Sequence, residues 1–140
     1  MILFTRLIGR NHVRVYRLSR GLIGHRYRGG TVLLLTTTGR KSGKRNTIAT
    51  FYMRDADDII LIASNGGRPT HPNWYLNLKE NPRCLVQAGV KKYEMTGKTV
   101  VDHKERESLW KRAVAFYPTY LDYEKRTERH IQLVRLNKAL

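Results

Sequence analysis

Residues 31–78 read TVLLLTTTGRKSGKRNTIATFYMRDADDIILIASNGGRPTHPNWYLNL, and no other stretch restricts the fold as much. A run rich in β-branched residues and leucine, Thr31–Thr38, enters a glycine-bounded basic loop. A second run, Thr47–Met53, leaves it. After a polar turn at Arg54–Asp58, a third run, Ile59–Ala63, is apolar throughout, as a strand buried on both faces should be. Ser64-Asn65-Gly66-Gly67 breaks that run. These are ordinary turn residues, and also groups that can face a ligand at a strand end. Thr70 is the expected cap of a helix with Pro72 in its first turn. The helix runs through Asn73–Leu78 and ends at Asn81-Pro82.

The remainder continues in the same style. Arg83–Ala88 and Lys91–Val101 alternate like half-exposed antiparallel strands joined around Gly89. Asp102–Phe116 reads as a helix capped by Asp102, with Leu109, Trp110, Ala113, Val114 and Phe116 on its apolar side. Tyr117, Tyr120 and Tyr123 recur at steps of three, either a helix face against the core or a row of hydroxyls beside a ligand. Ile131–Leu136 is the last strand. Five to six short strands with two or three helices predict the α+β class: a small closed or split β-barrel, mainly antiparallel, with flanking helices. At 140 residues this is one core that needs neither disulfide nor metal. The single Cys84 cannot pair internally and lacks metal-ligand spacing, which fits a reducing, intracellular setting.

The chain carries a net charge of +16, unevenly distributed. Residues 1–54 contain twelve Arg or Lys and no acid; Asp55 is the first carboxylate. That imbalance predicts an anionic partner. Residues 1–30 form a basic amphipathic segment and loop ahead of a barrel domain at 31–140. Arginines 6, 10, 14, 17 and 20 make a helical stripe opposite Ile2, Leu3, Leu7, Ile8, Val13, Val15, Tyr16 and Leu18. The pattern suits a helix packed on the barrel and equally one lying on an anionic membrane. Gly21–Gly30, with the isolated His25, reads as a loop. No apolar run is long enough to span a bilayer, and Met1–Phe4 is too short for a signal-peptide core. The expected location is the cytoplasm, with peripheral adhesion to the inner membrane face. Nucleic-acid binding is disfavoured, because the basic residues concentrate on one segment and one turn without a recognised motif.

The basic loop GRKSGKRN carries the clearest chemistry. Gly39 and Gly43 permit backbone turns that other residues resist. Successive amides in such a turn can cup an anion. Arg40 and Arg45 add forked donors, Lys41 and Lys44 point charges, and Ser42 a hydroxyl. The GxxxxGK[ST] spacing of a P-loop is absent, and the segment joins two strands instead of opening a helix. The bland alternative is a basic hairpin turn that solvates itself.

LLTTTGRKSGKRNT, IASNGG, HPNWYLNLKENP and YPTYLDYEKRTERHI together resemble the deazaflavin-dependent nitroreductase family, over roughly Thr31 to Val134. The block NWYLNLKENP is the most specific part. The resemblance implies a split β-barrel that uses the deazaflavin coenzyme F420, with FMN as the alternative cofactor. It implies coenzyme phosphate at Arg40, Lys41 and Ser42, with Arg45 beside them. Asn46, Thr47, Ile48, Ala49, Thr50 and Phe51 would line the coenzyme; Ile62, Ala63, Ser64 and Asn65 would border its ring. Further contacts would come from Asn73, Trp74, Tyr75, Leu76 and Asn77. Tyr117, Tyr120 and Tyr123 would face cofactor and substrate. Ser64 is expected to orient the ring or substrate, and Tyr117 or Tyr123 to donate a proton or clamp the substrate.

Two positions depart from the family pattern. Asn46 stands where an Arg is usual, with Arg45 one place earlier, and Ala49-Thr50 replaces the usual Pro-Leu. The coenzyme bears a phosphate and a glutamate tail, so an acid-free basic half suits it. It brings the hydride chemistry, and the protein brings position and electrostatics. The implied acceptor is a quinone, an activated enone or a nitroaromatic, and the implied assembly is a homodimer. The rival from another class is a carrier of deazaflavin or of a lipid-like ligand, using the same barrel without turnover.

Overall fold

The computed structural model describes residues 13–19, 26–27 and 30–139. Alternation along strand β2 (Gly30–Thr38) organises it. Leu33 and Leu35 point into the main core, while Val32 and Leu34 point to the opposite face. Strand β3 (Arg45–Phe51) pairs antiparallel along one edge of β2, from Val32↔Phe51 to Thr38↔Arg45. From the other edge the sheet continues through β6 (Arg83–Ala88), β7 (Lys91–Thr99), β8 (Leu133–Lys138), β5 (Asp58–Ile62) and β4 (Met53–Asp55). A two-residue strand β1 (Arg26–Tyr27) pairs with the start of β2.

Strands β3 and β4 therefore stand at opposite ends of the order, yet only buried Tyr52 separates them in the chain. That direct link draws the two edges together and curls the sheet into a split barrel. Strand β5 shows why IILIA is apolar throughout. Ile59, Leu61 and Ala63 fill the barrel with Leu33, Val86, Met95 and Leu136. Ile60 and Ile62 lie under helices α3 (His103–Phe116) and α4 (Thr119–Arg126), against Leu109, Ala113 and Tyr120. Helix α2 (Asn73–Glu80) plugs the barrel with Trp74, Tyr75 and Leu78.

A first helix, α1 (residues 13–18), covers the outer face of β2 through fully buried Tyr16. The Tyr16 hydroxyl accepts from Gly89 N at 2.6 Å and donates to the Gln87 carbonyl at 3.2 Å. Of the two readings of the amphipathic segment, packing on the barrel holds for this part; residues 1–12 and His25 lie outside the described residues. No described helix is long and apolar enough to cross a membrane.

Several boundaries differ from the sequence expectation. Gly21–Gly30 is not all loop, since Arg26 and Tyr27 are drawn into the sheet by β2. The second run divides at Tyr52, and the polar turn shrinks to Ala56-Asp57 because Arg54 and Asp55 pair with Ile59 and Asp58. Thr70 is not the helix cap; Pro72 occupies that position, without a side-chain hydrogen bond. Asp102 does cap α3, accepting from Glu105 N at 2.9 Å. The final strand shifts to Leu133–Lys138, in register with β5 and β7.

One ion network ties these elements. Arg135 on β8 meets Asp55 at 2.8 Å, Asp58 at 3.0 Å and Glu105 at 2.8 Å. Arg112 on α3 meets Asp55 at 2.8 Å. Arg135→Met should lower stability by about 2 kcal/mol at pH 7. The hydrogen bond from Arg135, then that from Arg112, holds the Asp55 carboxyl below its ordinary range. Its stabilising contribution is therefore present above about pH 4 and is lost as pH falls below that toward the lowered native value. Urea unfolding should show the deficit of Arg135→Met shrinking between pH 7 and pH 3. An unchanged deficit would remove the network from the account.

Candidate active site

One cleft collects residues that lie far apart in the chain. It has a volume of about 460 Å³ and is lined by Asn46, Ile48, Ala49, Thr50 and Phe51 of β3, and by Ile62, Ser64, Asn65, Gly66 and Arg68 at the end of β5. Pro72, Asn73 and Trp74 contribute from the opening of α2, and Tyr117, Tyr120 and Tyr123 close the other wall. That size is ordinary for a small-molecule or cofactor site.

The walls are aromatic and interlocked. Phe51 and Tyr117 rings lie 4.9 Å apart, Tyr117 and Tyr120 5.1 Å, and Tyr120 and Tyr123 6.2 Å. Both readings of the tyrosine row hold together: Tyr120 belongs to the core under α3 and α4, and all three line the cleft. Burial first, and then neighbouring Tyr117 and Tyr123, push the Tyr120 phenol well above its usual range, so it stays an O–H donor. Among the described residues, the hydroxyls of Ser64, Tyr117 and Tyr120 and the Asn46 amide have no hydrogen-bond partner. Polar groups left open on an aromatic wall are what a bound ligand can satisfy.

The basic turn adjoins this cleft without lining it. It is closed by Gly39 N to the Lys44 carbonyl at 2.8 Å and by Gly43 N to the Gly39 carbonyl at 2.8 Å. Gly43 has φ +71°, and the Ser42 hydroxyl accepts from Lys44 N at 3.2 Å. Asn77, only 3% exposed, fastens the turn to α2. Its Oδ1 accepts from Arg40 N at 3.2 Å and Arg40 Nη1 at 2.8 Å, while its Nδ2 donates to Thr37 Oγ1 at 3.1 Å. Arg40 Nη2 also reaches Asn73 Oδ1 at 3.4 Å, on the cleft wall. Lys41, Ser42 and Lys44 remain exposed beside it.

On the cleft wall, the turn after β5 is held in an unusual conformation. Asn65, Gly66 and Gly67 all have positive φ (48°, 63° and 76°). The Asn65 side chain closes it by donating to the Thr70 carbonyl at 2.9 Å. Arg129, from the segment between α4 and β8, grips the carbonyls of Ala63, Ser64 and Arg68 at 2.9–3.2 Å. It also approaches His71 Nδ1 at 3.2 Å. An arginine only donates, so His71 accepts there and carries its proton on Nε2. Burial, then Arg129 and Lys79, lower the His71 pKa to match. Arg129 falls within the YPTYLDYEKRTERHI block, but nothing in the local sequence marks it for this role.

Other expected site residues fall elsewhere. Arg45 alternates with Asn46 to the other side of β3 and lines a separate hollow of about 240 Å³ with Arg83 and Glu94. The Thr47 hydroxyl faces outward to Thr36 at 2.7 Å and Arg17 at 3.1 Å. Ala63, Tyr75 and Leu76 pack in or on the main core, and Tyr75 bonds Thr99 at 3.1 Å. Asn77 acts behind the turn instead of in the cleft. Burial pushes the Cys84 thiol up to about 12, which leaves no thiolate for nucleophilic work.

Comparison with known proteins identifies the family. Residues 8–138 match the family described as F420H(2)-dependent quinone reductase. A Mycobacterium tuberculosis protein of that description is 39% identical over 132 residues, spanning 92% of this chain and 89% of its own. A solved F420-H2 dependent reductase (FDR-A) superposes with a TM-score of 0.69 at 38% identity, over 76% of this chain and 93% of that one. A structure described as a domain-swapped dimer superposes with a TM-score of 0.72 at 33% identity, over 95% and 98%. On family match, identity over nearly the whole length and shared fold, the chain belongs to the F420H(2)-dependent quinone reductase family.

Proposed function

We propose that this protein is a reductase that passes hydride from the reduced deazaflavin coenzyme F420 to a quinone. The observation that carries the reading is the cleft itself: an aromatic trough with open polar groups along its walls and a cationic glycine turn beside it, joined through Arg40 and Asn73. The residues present fit the coenzyme. Arg40, Lys41 and Ser42 would hold its phosphate, with the α2 N-terminus adding dipole. Ile48 and Ile62 give apolar surface to the ring, and Ser64 and Asn46 give it hydrogen bonds. When bound, the coenzyme supplies the hydride; this chain's own residues do the rest. Tyr117, Tyr120 and Tyr123 form a wall that stacks a flat acceptor and excludes water. Tyr117, with an open hydroxyl, is placed to donate a hydrogen bond or proton to the acceptor oxygen. Activated enones and nitroaromatics share the electron-poor plane that such a wall accepts.

Fluorescence titration with the coenzyme, followed by its oxidation in the presence of a menaquinone analogue, tests this. Micromolar binding and quinone-dependent oxidation are expected. No coenzyme binding would sink the proposal; preferential FMN binding would replace the cofactor; tight binding without oxidation across a quinone and nitro panel would favour a carrier. A cytoplasmic site of action, a homodimer and peripheral contact with an anionic membrane belong to the same proposal. For the last, Leu18 is 86% exposed beside Arg14 and Arg17. Vesicle co-sedimentation and ultracentrifugation address membrane contact and dimerisation respectively.

A further inference from the structure

Arg129 lies in no element and touches no open surface of the cleft, yet its bonding is complete. A guanidinium has five N–H groups. Nε donates to the Arg68 carbonyl at 3.2 Å. Nη1 donates to the Ala63 carbonyl at 3.1 Å and to His71 Nδ1 at 3.2 Å. Nη2 donates to the Ser64 carbonyl at 2.9 Å and the Arg68 carbonyl at 3.1 Å. No donor remains for a ligand, and among the described residues no carboxylate pairs with it.

The three carbonyls it holds begin and end the turn at the cleft. A trans peptide points its N–H opposite to its C=O. With the Ala63 and Ser64 carbonyls drawn back onto Arg129, the amides of Ser64 and Asn65 point away from it. Neither amide has a partner among the described residues. Ser64 is right-handed (φ −72°, ψ −33°) and Asn65 has φ 48°, the pairing whose successive amides converge on an electron-rich atom. A lysine could not reproduce the clamp, since one ammonium cannot span three carbonyls and an imidazole.

We infer that Arg129 is a positioning residue for the reaction: it holds the Ala63–Arg68 turn so that the Ser64 hydroxyl and the Ser64 and Asn65 amides meet the reactants, without touching them itself. The inference rests on the cleft being the coenzyme site, so its test has an arm that does not need coenzyme. Arg129→Lys and Arg129→Ala are made in the full chain. The amides of Gly67 and Arg68 close the turn on the Ser64 and Asn65 carbonyls at 2.9 and 3.2 Å. Their hydrogen exchange should quicken by about tenfold or more in Arg129→Lys, while the core amides of Leu61 and Val86 keep their rates. In the same variant kcat/KM should fall about 100-fold, mostly in kcat. Added guanidinium should restore part of the activity of Arg129→Ala.

Wild-type exchange at Gly67 and Arg68 in Arg129→Lys overturns the inference. So does faster exchange of turn and core together, which would make Arg129 a general stability element. If the turn loosens alone but kcat/KM stays at the wild-type value, the positioning role falls. Failure of the wild type to bind coenzyme would strike the coenzyme reading alone, and the exchange arm still decides whether Arg129 holds the turn.

Discussion

Gly67→Ala should lower stability by about 3 kcal/mol and weaken coenzyme binding at least tenfold. Two costs add. Gly67 has φ +76°, which an L-residue adopts at a cost of about 1–2 kcal/mol. A Cβ there would also stand 2.9 Å from Tyr123 Cα, 2.9 Å from the Tyr123 carbonyl oxygen and 3.1 Å from Arg126 Cβ. The first two are backbone atoms that no rotamer change moves, so α4 itself must back away, at about 1–3 kcal/mol. The displaced helix carries Tyr120 and Tyr123, so the cleft wall moves with it. Gly66→Ala is the internal control. It has φ +63° but nothing within 4 Å, so only the backbone cost of about 1–2 kcal/mol applies. Urea midpoints on both variants, with coenzyme titration of Gly67→Ala, decide the matter. Equal losses in the two would show that the close approach of α4 is not what Gly67 provides.

Asn77→Leu should cost about 2–4 kcal/mol and weaken coenzyme binding at least tenfold, despite Asn77 being buried behind the site. Its side chain is 3% exposed and makes three hydrogen bonds, to Arg40 N, Arg40 Nη1 and Thr37 Oγ1. Leucine has similar volume, so packing is nearly kept while the polar contacts vanish. The buried Thr37 hydroxyl, 2% exposed, and the Arg40 amide are left unsatisfied. The basic turn then loses its fastening to α2, and Arg40 no longer stands fixed beside the cleft residue Asn73. Thr37→Val separates the two effects: it removes one partner of Asn77 but leaves the grip on Arg40. Stability should fall in both variants and coenzyme affinity in Asn77→Leu alone. Loss of affinity in Thr37→Val of the same size would refute a specific role for the Arg40 fastening.

Much of the site can be read from local pattern. Ile59–Ala63 is apolar at every position because both of its faces are covered, one by the barrel and one by α3 and α4. Asp102 caps α3, where a carboxylate three residues before Glu105 predicts it. Asn46, Ile48, Ser64, Asn65, Asn73 and the three tyrosines, singled out by resemblance, converge on one cleft. Arg45, Thr47 and Asn77 show where that reading stops. Arg45 and Asn46 are neighbours in sequence, and the register of β3 on β2 alone decides which faces the cleft. The departure of Asn46 from the family pattern therefore falls on the cleft wall itself, while the adjacent arginine serves another surface.

The amino-acid sequence by itself determined the class of fold, the strand and helix runs, the cationic turn and the aromatic row, because propensity, periodicity and charge act within a few residues along the chain. Tertiary structure alone decided three things. Tyr52 joins the two ends of the sheet order, Asn77 fastens the basic turn from behind, and Arg129 reaches across 65 positions to the Ser64 carbonyl. The last two depend on main-chain groups whose direction is set only once distant strands have paired, and a backbone group carries no mark in the sequence of the side chain that will find it.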